Sequence, residues 1–189
     1  MGHLAAMLPH QRLREATSAA HAALEALPPL RDLLCDRLPL RRYAQLLRAH
    51  RAVYAELDPR LLAGTHAYQP RLPLLDADLA ACNEPFAAAP PSSMVAADAC
   101  TSAALLGMHY VTEGSLLGGA VIVRALRRAL PAHPHHFFAA GLGRPASWWK
   151  HFQARLDAQL SEPTALEQAT ASALATFALF RLAFEQGHP

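Results

Sequence analysis

The chain has 189 residues, 52% of them hydrophobic and 17% charged, with a formal net charge of +2. That length and apolar share are enough for one domain with a sizeable core and exclude a disordered chain. So small a charge, evenly spread, argues against a nucleic-acid surface.

Residues 1–189 are expected to form a single all-α domain, with 1–10 as a flexible leading segment. No stretch alternates with the period of two that marks a strand, and prolines and glycines divide the chain into six to eight helices. The N-terminus has no basic region followed by an apolar one, so no secretory signal is expected. Cys35, Cys82 and Cys100 are odd in number and widely spaced, which suggests neither a zinc site nor a disulfide framework and fits a reducing cytoplasm.

The first helix is expected from Gln11 to Leu27, with Leu13, Ala16, Ala20, Leu24 and Leu27 as its apolar stripe, His21 on the flank and Pro28-Pro29 ending it. A short helix over Leu30 to Leu38 follows, then an amphipathic one from Leu40 to Leu57 that buries Tyr43, Leu46, Leu47, His50, Val53, Tyr54 and Leu57. Leu62 to Pro73 reads as loop, Leu74 to Cys82 as a short helix, and Asn83 to Ser93 as loop. Ser92 or Ser93 would then cap a long apolar helix from Met94 to Leu130. Its run from Ala103 to Val123 is long enough to raise the question of a membrane span, but His109, Glu113 and the glycines inside it favour a soluble protein. His133, His135 and His136 fall in a proline-containing loop where solvated histidines are ordinary. Ser147 would cap a helix to Leu160 carrying Trp148, Trp149, Phe152 and Leu156. The last helix would open on a Thr164-x-x-Glu167 capping box and bury Leu166, Ala173, Phe177, Phe180 and Phe184.

Two features need more than a fold to explain them. Gly107, Gly114, Gly118 and Gly119 interrupt the apolar helix, and in a helix interior four glycines forfeit about 3–4 kcal/mol relative to alanine. Either a second helix crosses in close contact, or a flat ligand lies against backbone that tolerates no Cβ; spacing alone favours the crossing helix. Gly114 and Gly118, four residues apart, share a face. The second feature is His21. Arg14 lies two turns before it, about 10 Å along the helix axis, and Glu25 one turn after it, where a carboxylate can orient the ring. By itself, a flank histidine beside a carboxylate is more simply a surface or packed residue. Glu185-x-x-His188 has the spacing used by di-iron bundles, but no second such pair exists. No nucleophile elbow, phosphate loop or dinucleotide fingerprint is present.

Taken together, "LREATSAAHAALE" (Leu13 to Glu25) resembles the proximal-helix signature of heme oxygenases, and "YVTEGSLLGG" (Tyr110 to Gly119) resembles the distal-helix signature of their bacterial members. The separation of the two, the later "WWKHF" and the C-terminal phenylalanines are similar too, so the resemblance covers nearly the whole chain. It implies an all-α fold in which heme, both substrate and cofactor, is sandwiched between the two helices. It also implies oxidative opening of the ring at a meso carbon to biliverdin, carbon monoxide and ferrous iron, with O2 and electrons from an external ferredoxin or flavin-reductase type donor. His21 would be the iron ligand, oriented by Glu25. Gly114 and Gly118 would let the distal backbone press on the porphyrin, leaving Gly107 to helix packing. Arg14 and Tyr110 would serve a propionate, with Lys150 and Arg155 as weaker candidates, and Phe177 and Phe180 would line the pocket. Ser115 stands where mammalian relatives carry an aspartate that organises proton delivery, so a serine hydroxyl or a held water would have to relay the proton. The protein's role would be iron acquisition or the supply of a bilin chromophore to a photoreceptor. The competing implication is a heme carrier or sensor on the same fold that does not turn heme over.

Overall fold

The computed structural model describes residues 7–64, 67–83 and 101–186. The expected caps Ser92 and Ser93, the start of the apolar helix at Met94, most of the 83–93 loop, Cys100 and His188 lie outside them. Every regular element among the described residues is a helix. They are α1 (Pro9–Glu25), α2 (Pro28–Asp32), α3 (Leu40–Ala63), α4 (Leu72–Ala81), α5 (Ser102–Gly114), a 3-10 turn (Ser115–Gly118), α6 (Gly119–Ala129), α7 (His136–Ala139), α8 (Trp148–Gln159) and α9 (Pro163–Gln186). No helix among the described residues is long and apolar enough to cross a membrane.

α9 is the floor on which the rest is built. Its buried stripe, Leu166, Ala169, Ala173, Thr176, Phe177, Phe180 and Phe184, follows the helical period and receives α1, α3 and α5. The crossing with α5 is backbone to backbone, since a Cβ on Gly107 would stand 2.1 Å from the carbonyl oxygen of Ala169. Gly119 is needed for the same reason at the start of α6, where a Cβ would lie 2.7 Å from the carbonyl oxygen of Phe138. α1 fastens to this layer through Leu13 and Thr17, both buried, while Ala16, expected in its stripe, is exposed.

Several helix ends differ from expectation. α3 runs past Leu57 to Ala63 with Pro59 inside it, because Asp58 and Leu61 are both buried and hold the last turns in place. The Asp58 carboxylate accepts from the Tyr68 hydroxyl at 2.6 Å and from the backbone N–H groups of Arg71 and Leu72 at 2.9 Å, so a residue of α3 caps α4. Asp78 of α4 repeats the device, accepting from the N–H groups of His136 and Phe137 at 2.8 and 2.9 Å and starting α7. α5 is capped by Thr101, whose hydroxyl accepts from Ala104 N–H at 3.1 Å. Ser147 precedes α8 as expected but makes no side-chain cap, and Thr164 lies inside α9, which begins at Pro163, so it does not cap that helix. α2 stops at Asp32.

His135 is not the solvated loop residue expected. It is buried at φ 57°, accepts at Nδ1 from the Tyr43 hydroxyl at 2.9 Å, and donates from Nε2 to the Leu130 carbonyl at 3.1 Å. His50 is the other interior histidine, ringed by Phe137, Phe138, Phe180 and Phe184 at centroid distances of 4.7–5.7 Å. Burial holds its pKa down to about 3 from an ordinary 6.5. The native state therefore keeps His50 neutral while the unfolded chain binds a proton below pH 6.5, so its contribution to stability is complete above that pH and falls as pH drops toward about 3. Between pH 6.5 and pH 5 this one ring should cost about 2 kcal/mol. Urea midpoints measured across that interval should fall more steeply for the native protein than for His50→Leu, and parallel slopes would reject the assignment.

Candidate functional site

α1 and α5 both pack on α9, and both also touch α8, so α1 forms one wall beside them and α5, running into the 3-10 turn, another. On the α1 wall, His21 presents its ring edge-on to Phe177 of α9 at 5.8 Å, with Nδ1 3.5 Å from a Glu25 carboxylate oxygen. Its side chain is 57% exposed, so the ring is a reachable ligand whose Nδ1 is turned to a carboxylate. That leaves Nε2 for a partner outside the chain. Arg14, two turns earlier, is exposed, as is Lys150 on α8, and among the described residues neither makes an ion pair.

On the α5 wall, Tyr110 is half-buried with its ring 6.1 Å from that of Trp149. Beyond it the helix tightens to 3-10 pitch over Ser115–Gly118 and resumes as α6. The four glycines separate here into two kinds. Gly107 and Gly119 are demanded by the chain's own packing. Gly114 and Gly118 are not: a Cβ on Gly114 would meet only the Trp149 ring at 3.5 Å, and one on Gly118 only Ile122 at 3.7 Å, both ordinary contacts. Their backbones lie in the right-handed helical region, open to any residue. Neither conformation nor the described packing requires glycine at 114 or 118, although each costs about 1 kcal/mol against alanine. The missing Cβ atoms leave a bare strip of backbone that fits a flat ligand approaching from outside the chain.

Behind this strip lies a buried polar group. Glu113 accepts from Nη2 of Arg71 at 3.0 Å and also from Nη1 of Arg144. Arg71 is wholly buried, with its guanidinium 5.6 Å over the Tyr68 ring. Arg144 lies 4.9 Å over Trp148. Ser115 donates its hydroxyl to the Thr112 carbonyl at 2.8 Å, which leaves its oxygen able to accept. Tyr54 lies in the same group. Burial, the largest influence, pushes its pKa up to about 12, with Arg71 pulling the other way, so it remains protonated.

The remaining expected site residues are distributed unevenly. Arg155 is half-buried, its guanidinium 5.0 Å over the Phe152 ring, and burial lowers its pKa against the pull of Glu113. Phe177 touches His21. Phe180 faces the interior instead, with its ring among those of His50, Tyr54 and Phe184 at 5.7–5.9 Å. The structure thus groups His21, Glu25 and Phe177 on one wall and Tyr110, Gly114 and Trp149 on the other. Sequence reasoning missed Arg71, Arg144 and Tyr54. Glu113 embedded in an apolar helix was the signal that could have led to the two arginines, since a buried carboxylate requires cationic or donor partners.

The family described as heme oxygenase matches residues 9–186 of this chain. A curated relative, the heme oxygenase of Xanthomonas campestris pv. campestris, is 40% identical over 149 residues, covering 73% of this chain and 86% of the relative. Among solved structures, the chain is similar to a heme oxygenase from Leptospira interrogans, with TM-score 0.70 and 19% identity over 95% of this chain and 100% of the other. It is also similar to heme oxygenase-1 of the cyanobacterium Synechocystis, solved in complex with heme, with TM-score 0.74 and 19% identity over 95% of this chain and 92% of that one. At those identities the two structures speak to the fold alone.

Proposed function

The chain belongs to the heme oxygenase family, and from that premise we infer that heme lies between the His21 wall and the bare backbone of Gly114 and Gly118. The protein is a heme oxygenase: it opens heme at a meso carbon, using O2 and external electrons, and releases biliverdin, carbon monoxide and ferrous iron. The observation that supports this placement is the sorting of the glycines, because Gly114 and Gly118 lack a Cβ that nothing in the described chain forbids.

In this reading the heme supplies the iron at which O2 reacts, and the side chains position it. His21 offers Nε2 as the ligand while Glu25 steadies Nδ1. Arg14 and Tyr110, with Lys150 and Arg155 as weaker candidates, are assigned in this reading to the acidic substituents of the substrate. Phe177 covers the His21 side. Ser115, with its proton committed to the Thr112 carbonyl, can accept a hydrogen bond from a water and so hold one beside the strip, with the Tyr54 hydroxyl beneath it. The proposal extends to a ferredoxin or flavin-reductase type electron donor, a bilin-binding photoreceptor as recipient of the product, and a cytoplasmic setting.

The test is to add hemin to the purified protein, record its absorption, and then supply ascorbate under oxygen. The heme band should decay as biliverdin absorption rises. A heme band that persists under reductant and oxygen would mark a carrier or sensor instead. The family match and the 40% identical relative favour turnover.

A further inference from the structure

Glu113 is placed against the ordinary preferences of a helix. It occupies the last turn of α5, where the helix dipole disfavours a negative charge, and it is buried, where a carboxylate must be paired. Its two partners come from segments distant in the chain. Arg71 stands at the start of α4, its backbone N–H fixed by Asp58 and its side chain wholly enclosed. Arg144 comes from the link between α7 and α8 and lies over Trp148, next to the Trp149 ring that sits nearest Gly114. Arg71 keeps its Nε and Nη1 buried with no hydrogen-bond partner among the described residues. An arrangement that leaves donors unsatisfied is poor as a stability device.

What the clamp does hold is position. The residue after Glu113 is Gly114, and the helix changes pitch at the next residue, Ser115. With both carboxylate oxygens tied, one to α4 and one to the α7–α8 link, the end of α5 cannot rotate or slide without breaking an ion pair. We propose that Arg144 is a positioning residue for the reaction: through Glu113 it fixes where the 114–118 backbone stands against the substrate. It touches neither the substrate nor the reacting atoms. This inference rests on the heme oxygenase reading above.

The test uses the full chain with Arg144→Met, which keeps the length of the stem and removes the charge, and Arg144→Lys, which restores the charge. In the protein without heme, Arg144→Met should speed amide hydrogen exchange about tenfold over residues 114–119 and leave the core of α9 unchanged. With hemin, the dissociation constant should stay within about threefold of the native value while kcat with ascorbate falls at least about fivefold, since small displacements near the reacting centre act on the rate. Arg144→Lys should recover most of both. Unchanged exchange over 114–119 would overturn the proposal, as would a uniform loss of protection across the fold with kcat intact. Should the native complex hold heme without degrading it, the functional reading fails, and the exchange measurement still decides the clamp.

Discussion

Replacing His21 with alanine is expected to cut biliverdin formation at least about 100-fold, equivalent to about 2.7 kcal/mol of transition-state stabilisation, while leaving fold stability within about 0.5 kcal/mol. The two halves of that expectation have separate causes. The His21 side chain is 57% exposed, and among the described residues its ring and ion-pair contacts are with the edge of Phe177 and with Glu25 across 3.5 Å. An exposed histidine–carboxylate contact in one helix is worth little, and alanine is the better helix former. The ring's value therefore lies in what it binds. The hemin complexes of the native protein and His21→Ala should differ in absorption spectrum, since an imidazole ligand has been lost. Identical spectra would remove His21 as the ligand, and a large fall in the urea midpoint would make it a structural residue.

Gly107→Ala should do the opposite, destabilising the protein by about 3 kcal/mol, the upper part of the range for forcing atoms into a packed interior. Its Cβ would sit 2.1 Å from the Ala169 carbonyl oxygen and 3.1 Å from Ala169 Cα, and both are backbone atoms of a long buried helix that cannot turn aside. α5 would have to lift off α9, the most extensive helix contact among the described residues. For a chain of this length the melting temperature should drop by about 10 °C. A melting curve that matches the native one would show that the α5–α9 crossing yields easily and that its closeness is incidental.

These two substitutions mark where the sequence was informative and where it was not. The α9 stripe was legible because Leu166, Ala173, Phe177, Phe180 and Phe184 are apolar, mostly large, and recur at helical spacing. The end of α3 was not, since Pro59 and the nearby Gly64 resemble a terminus, whereas Asp58 and Leu61 are buried by packing that local pattern does not reveal. Caps supplied from elsewhere are invisible in the same way. Asp58 serves α4 and Asp78 serves α7 from 13 to 59 residues away. His135 reads as a loop histidine until Tyr43, 92 residues before it, is folded against it.

The candidate site divides similarly. His21, Arg14 and Glu25 share a helix, so their spacing already places them together. The resemblance to heme oxygenases then directed attention to Gly114 and Gly118. Spacing could not say which of the four glycines served packing. That required knowing that α9 approaches Gly107 and that the Phe138 carbonyl approaches Gly119. Arg71 and Arg144 meet Glu113 across 42 and 31 residues. Only the burial of Glu113 connects them.

The claim that the bare strip is the wall against which heme lies is tested most directly by Gly118→Leu, followed by hemin titration and a melting curve of the heme-free protein. Position 118 is exposed, helical and clear of close neighbours apart from Ile122 at 3.7 Å, so leucine should hold or raise the heme-free melting temperature, as helix propensity predicts. Hemin affinity, or turnover of the complex, should fall at least about tenfold, because about 1.4 kcal/mol is a modest cost for forcing a branched side chain into a ligand face. A variant that binds and degrades heme as the native protein does, or that loses only thermal stability, would contradict the account and return Gly118 to helix packing.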